Sequence, residues 1–70
     1  MSVAKVVEIT STSTKSFEDA IERGISRANK TLHNIEGAWI KEQKVKVTKG
    51  KIDAYRVNML VTFVLDDKTN

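Results

Sequence analysis

The chain has no cysteine and no proline, one histidine and only three glycines among its 70 residues. Without cysteine there is neither a disulfide staple nor a thiolate zinc site. One histidine makes a poor start for a protein-only zinc cluster. The scarcity of glycine and proline argues against a flexible or low-complexity segment. No apolar run approaches the roughly 18 residues of a membrane span. Met1–Ser2–Val3 leads straight into a strand-like segment with no signal-peptide core, so a cytoplasmic location and no membrane partner are expected. No recognisable triad, cysteine nucleophile or paired-carboxylate motif is present, and His33 stands alone, so an enzyme is not expected.

What is there describes a small globular domain. Hydrophobic residues make up 40% and charged residues 30%, an ordinary soluble balance. A chain this short buries only about 60% of its unfolded surface. Disulfides are absent and metal is poorly supported, so oligomerisation is the expected remedy. The net charge of +3 permits anionic partners without demanding them.

Residues 3–9 are rich in β-branched side chains and read as a strand, with Thr10–Thr14 as the loop that follows. Phe17, Ala20, Ile21, Gly24, Ile25, Ala28 and Leu32 form one apolar helical stripe over residues 17–32. Ser16 suits its N-cap, Glu18 and Asp19 suit its first turn, and Asp19 and Arg23 are spaced as an i,i+4 pair. Gly24 costs about 1 kcal/mol against alanine there, which a close helix–sheet approach would explain. His33 and Asn34 end the helix. Residues 35–48 read as a second strand whose apolar phase changes between Ile40 and Val45, implying a bulge or bend near Glu42–Lys44. Lys49-Gly50-Lys51 reads as a hairpin turn. Residues 52–65 then alternate strictly, with Tyr55, Val57, Met59, Val61, Phe63 and Leu65 on one face. The tail Asp66–Asn70 reads as polar and frayed. The expected fold is α+β: a single domain over residues 1–70, β-α-β-β, with a three-stranded antiparallel sheet on one helix.

This order and wording resemble the dodecins. The resemblance is carried by the Val3–Ile9 strand, Thr12-Ser13 before Phe17, Ala20-Ile21 with Arg27-Ala28, Lys30-Thr31-Leu32 before Asn34-Ile35, and Tyr55-Arg56-Val57 with Val61-Thr62-Phe63-Val64-Leu65. It implies a sheet half-wrapped around its helix and twelve copies forming a hollow shell. It also implies flavin storage or buffering, with riboflavin, FMN or FAD stacked between tryptophans. A glutamine beside the last-strand tyrosine would bond the ring edge. Some relatives bind coenzyme A or divalent cations.

Two positions depart from that pattern. In flavin-binding members the stacking tryptophan precedes the last-strand tyrosine by about eighteen positions, and Gly37 stands there in this chain. Arg56 occupies the glutamine position. Glycine has no π-face, and arginine cannot accept a hydrogen bond. Trp39 lies two residues on, on the same face of a regular strand, and Arg56 can stack on rings or hold phosphate. Gly37, Trp39 and Arg56 are therefore the candidate ligand residues, with Trp39 alternatively a subunit-contact anchor.

The remaining candidates are weaker. Glu42 and Asn58 fall where some dodecins place metal-contacting acids, but Asn58 is neutral. Lys44, Lys46, Lys49 and Lys51 crowd the hairpin without the interleaved aromatics of a nucleic-acid binder, and Lys44 and Lys46 suit an edge strand. Thr10–Thr14 could lead a phosphate to the helix N-terminus, although capping is the simpler role. The expectation is a dodecin-like ligand-storage protein. The alternatives are a shell that has lost flavin and is structural or takes another anion or a cation, and, more weakly, a basic nucleic-acid module.

Overall fold

The first strand runs further than its composition suggests. In the computed structural model, which describes residues 3–65, β1 spans Ala4–Ser13, so Thr10–Ser13 is strand and not loop. The physical reason is tertiary. Ser11 and Ser13 pair with Val57 and Tyr55 of a longer neighbour, and ladder hydrogen bonds outweigh the turn preference of a Ser/Thr tract.

Helix α1, Phe17–Asn29, begins as the spacing predicts. Ser16 Oγ accepts from the Asp19 N–H at 2.9 Å, and the Arg23 Nε–Asp19 Oδ2 ion pair closes at 2.7 Å. The helix ends earlier than its apolar stripe. Lys30 is the C-cap, and the Thr31 and Leu32 N–H groups both donate to the Ala28 carbonyl. Leu32 stays half-buried on that turn. Asn34 then adopts φ 64°, a left-handed conformation that asparagine tolerates, and redirects the chain into β2.

Strand β2, Ile35–Thr48, has the expected bounds, and its register slips between Ile40 and Glu42. The bulge residue is Lys41, just before the predicted stretch. It accounts for the change of apolar phase. Lys49 and Gly50, at φ 54° and 78°, make the tight hairpin turn. Strand β3 is Lys51–Val64.

The strand order is β1-β3-β2, all antiparallel, so β3 is central and β1 and β2 are the edges. The inner face of β3 carries the core: Val57, Met59 and Val61 are 0% exposed and pack with Ala20 of α1. Each such side chain contributes roughly 1.5–3 kcal/mol of burial. Gly24 is where the helix comes closest. A Cβ there would lie 2.6 Å from the Met59 Cε and 3.0 Å from the Ser11 Cβ. Phe17 meets Tyr55 edge to face at 5.2 Å between ring centroids.

A helix of this length spans about 20 Å, while the chain extends 57 Å along its long axis. The helix lies over β1 and β3 and leaves most of β2 beyond Ile35 and the hairpin end bare. Ile40, Val45, Val47 and Ile52 are exposed as a result. The predicted tail Asp66–Asn70 lies outside the described residues.

Candidate functional site

Every sequence-predicted site residue lies on the outer face of the sheet, opposite the helix. Even-numbered residues of β1 and β3 project there, because their odd-numbered neighbours meet α1. Register lines them up in rows. Thr12, Arg56 and Lys44 form one row, Thr10, Asn58 and Glu42 the next, and Glu8, Leu60 and Trp39 the third. Val6, Thr62 and Gly37 follow.

The first two rows enclose a cavity of about 200 Å³ lined by Thr10, Glu42, Lys44, Arg56 and Asn58. Three predicted residues, Arg56, Glu42 and Asn58, thus meet in one place. Trp39 and Gly37 share the face but sit further along it. Trp39 is two rows from Arg56, roughly 14 Å along the strand. Trp39 is 51% exposed, and among the described residues nothing lies within 4 Å of where a Gly37 Cβ would be. The space for a larger side chain at Gly37 is therefore open within the protomer.

Polar contacts tie the cavity to the third row. Asn58 Nδ2 donates to Glu8 Oε2 at 2.8 Å, and Lys41 Nζ donates to the same oxygen at 3.3 Å. These bonds hold the Glu8 carboxyl below its ordinary range, the Asn58 bond contributing most. Lys41 follows Trp39 by two residues, so strand alternation keeps its side chain on the outer face with Glu8. Arg56 Nε donates to Thr12 Oγ1 at 3.4 Å. Asn58 Oδ1 is buried and has no hydrogen-bond partner among the described residues. Such an orphan acceptor is costly and calls for a donor.

The cavity can accept hydrogen bonds at Glu42 and Asn58 and donate charge-assisted ones from Lys44 and Arg56. It suits recognition of a polar ligand. Among the described residues no group of three acids or histidines is placed to hold a metal ion. Lys44 and Arg56 also make the Glu42–Asn58 pair a poor seat for a divalent cation.

Thr10 and Lys44 were not among the predicted ligand residues. Thr10 read as loop, and Lys44 as edge protection, which it also provides on β2. Thr10 and Thr12 face away from α1, whose N-terminus is capped by Ser16. Carrying the two-residue period of β1 through Thr10 and Thr12 would have aligned both with Arg56 and Asn58.

The Dodecin family model matches residues 3–66. The chain is 32% identical over 65 residues to the dodecin of Thermus thermophilus, covering 93% of this chain and 94% of the relative. It is 39% identical over 64 residues to the calcium dodecin of Mycobacterium tuberculosis, covering 90% and 89%. The dodecin structure from Streptomyces davaonensis superposes with a TM-score of 0.90 at 35% identity, over 94% of this chain and 97% of that one.

Proposed function

The chain belongs to the dodecin family, and on that premise we propose that it is a small-ligand binding and storage protein, not an enzyme. It works as a homo-oligomer, a hollow dodecamer in the family arrangement. Its ligand is an aromatic or anionic small molecule held on the outer face of the sheet, with riboflavin, FMN or FAD the family default. The observation that carries this reading is the cavity uniting Arg56, Asn58, Glu42, Lys44 and Thr10, with the exposed Trp39 on the same face. The groups there bind and orient. The Glu8 carboxyl is held in its charged form, the wrong direction for a general acid near neutral pH.

Self-association is supported by the bare apolar side chains Ile40, Val45, Val47 and Ile52 and by the two open strand edges. No helix among the described residues is long and apolar enough to cross a membrane. We place the protein in the cytoplasm.

The test is a riboflavin and FMN titration of the assembled protein, read by flavin and Trp39 fluorescence, beside a Gly37→Trp/Arg56→Gln double variant. Tight binding by the natural protein supports flavin storage without the usual stacking residue. Binding by the double variant alone shows an intact shell whose ligand is not a flavin. A monomer in sedimentation would sink the assembly.

A cation-binding reading has one observation in its favour, the similarity to a protein named calcium dodecin. The two basic side chains lining the cavity weigh against it. A calcium-dependent rise in melting temperature that Glu42→Gln removes would restore it.

A further inference from the structure

Lys44 and Arg56 are direct partners across the β2–β3 ladder, on the same face. Like charges directly opposite each other destabilise an antiparallel pair. Among the described residues neither has a carboxylate within ion-pair distance, the ion pairs being made by Arg23, Lys41 and Lys46. Glu42 lines the same cavity but reaches neither. Arg56 bonds Thr12 through Nε, and no hydrogen bond is made by its two terminal nitrogens among the described residues.

Asn58 makes a second demand. Its NH2 group is committed to Glu8, so the amide cannot be turned over without setting two oxygens against each other. Its Oδ1 is left buried and without a donor among the described residues. The cavity therefore asks for negative charge at one end and a hydrogen-bond donor at the other. A bare anion meets only the first demand, and a neutral alcohol only the second. A metal cation would meet the oxygen of Asn58 but be repelled by the two basic side chains.

We propose that this cavity is a seat for a hydroxyl-bearing phosphate monoester, a sugar or polyol phosphate. The phosphate lies between Lys44 and Arg56, and a neighbouring hydroxyl donates to Asn58 Oδ1. Arginine forks and lysine point charges are the usual phosphate partners. The cavity of about 200 Å³ has room for a phosphate head group and its neighbouring hydroxyl. The inference deepens the ligand reading above and rests on it for the choice of face. It adds that the phosphate is what the protein selects.

The test is calorimetry on the assembled protein with three probes: FMN, riboflavin and ribose 5-phosphate. The expected result is FMN tighter than riboflavin by about ten- to a hundredfold, the worth of a charge-assisted hydrogen bond. Ribose 5-phosphate binds alone and competes with FMN. Lys44→Gln weakens FMN more than riboflavin and so narrows the gap between them. Asn58→Leu weakens ribose 5-phosphate more than inorganic phosphate. Lys44 is exposed, so its variant tests the site without threatening the fold. Equal affinity for FMN and riboflavin, with no binding of ribose 5-phosphate, overturns the inference and leaves the flavin reading standing. Ribose 5-phosphate binding that Lys44→Gln abolishes, with neither flavin bound, supports the inference and removes the flavin reading. No binding of any probe removes both.

Discussion

The two faces of β3 carry different tasks along one run of sequence. Its inner face places Val57, Met59 and Val61 against α1, fully buried. Its outer face places Arg56, Asn58, Leu60 and Thr62 between the outer-face residues of β1 and β2, with no helix or strand among the described residues above them. The inner face holds the fold through apolar burial. The outer face keeps unpaired charge and an orphan amide oxygen, arrangements that stability alone would not favour. Adjacent residues thus serve packing and recognition in alternation, because strand side chains alternate by geometry.

Substitutions on each face should separate the two tasks. Met59→Ala should have the largest effect, about 2–5 kcal/mol of stability lost to the cavity left behind. Chemical denaturation would show it as a lower midpoint with an unchanged slope. Gly24→Ala should cost less, about 1–3 kcal/mol for crowding against Met59 and Ser11, offset by about 1 kcal/mol of helix propensity. A smaller side chain at position 59 in the same chain should recover part of the loss. If Gly24→Ala raises the melting temperature instead, the close approach of helix and sheet is not a constraint.

Acid should act on both faces through different carboxylates. Asp19 accepts from Ser13 and from Arg23, and these bonds hold it below the ordinary carboxyl range, Ser13 contributing most. A lowered folded-state pKa gives stability that is complete above the unfolded value, about 4. That stability is lost as pH falls through the folded value. Asp19→Asn should therefore flatten the acid limb of a pH–stability curve and leave the neutral-to-alkaline limb parallel to the natural protein. Glu8 works in the same direction through Asn58 and Lys41. Glu8→Gln should remove its share of that limb while leaving the core intact, as unchanged amide-exchange protection at Met59 would show.

Trp39→Ala should have the smallest effect on the fold of the protomer, below about 0.5 kcal/mol, as surface changes usually do. Its effect belongs to whatever covers the outer face. Loss of assembly in sedimentation would mark Trp39 as a subunit anchor, and loss of ligand with assembly kept would mark it as a stacking group.

The helix start, the hairpin turn and the core face of β3 were legible because each rests on local chemistry. Ser16 caps, Gly50 permits positive φ, and the odd residues of β3 are apolar without exception from Tyr55 to Phe63. The need for glycine at position 24 was legible as a close approach, but Met59 as the neighbour was not. The end of β1 was misread because serine and threonine favour turns when isolated, and only pairing with β3 draws them into a strand. Leu32 continues the apolar stripe, yet the chain leaves the helix at Lys30 and reverses at Asn34 to meet β3.

The sequence by itself determined the β-α-β-β order, the amphipathic helix and the hairpin, since periodicity and capping act over a few neighbouring residues. Only the tertiary structure decided that β3 is central, that the register slip behind the phase change falls at Lys41, and that Thr10, Lys44 and Asn58 share one cavity. The reason is physical. Register between strands depends on which residues of distant segments pair, and no segment carries that information alone.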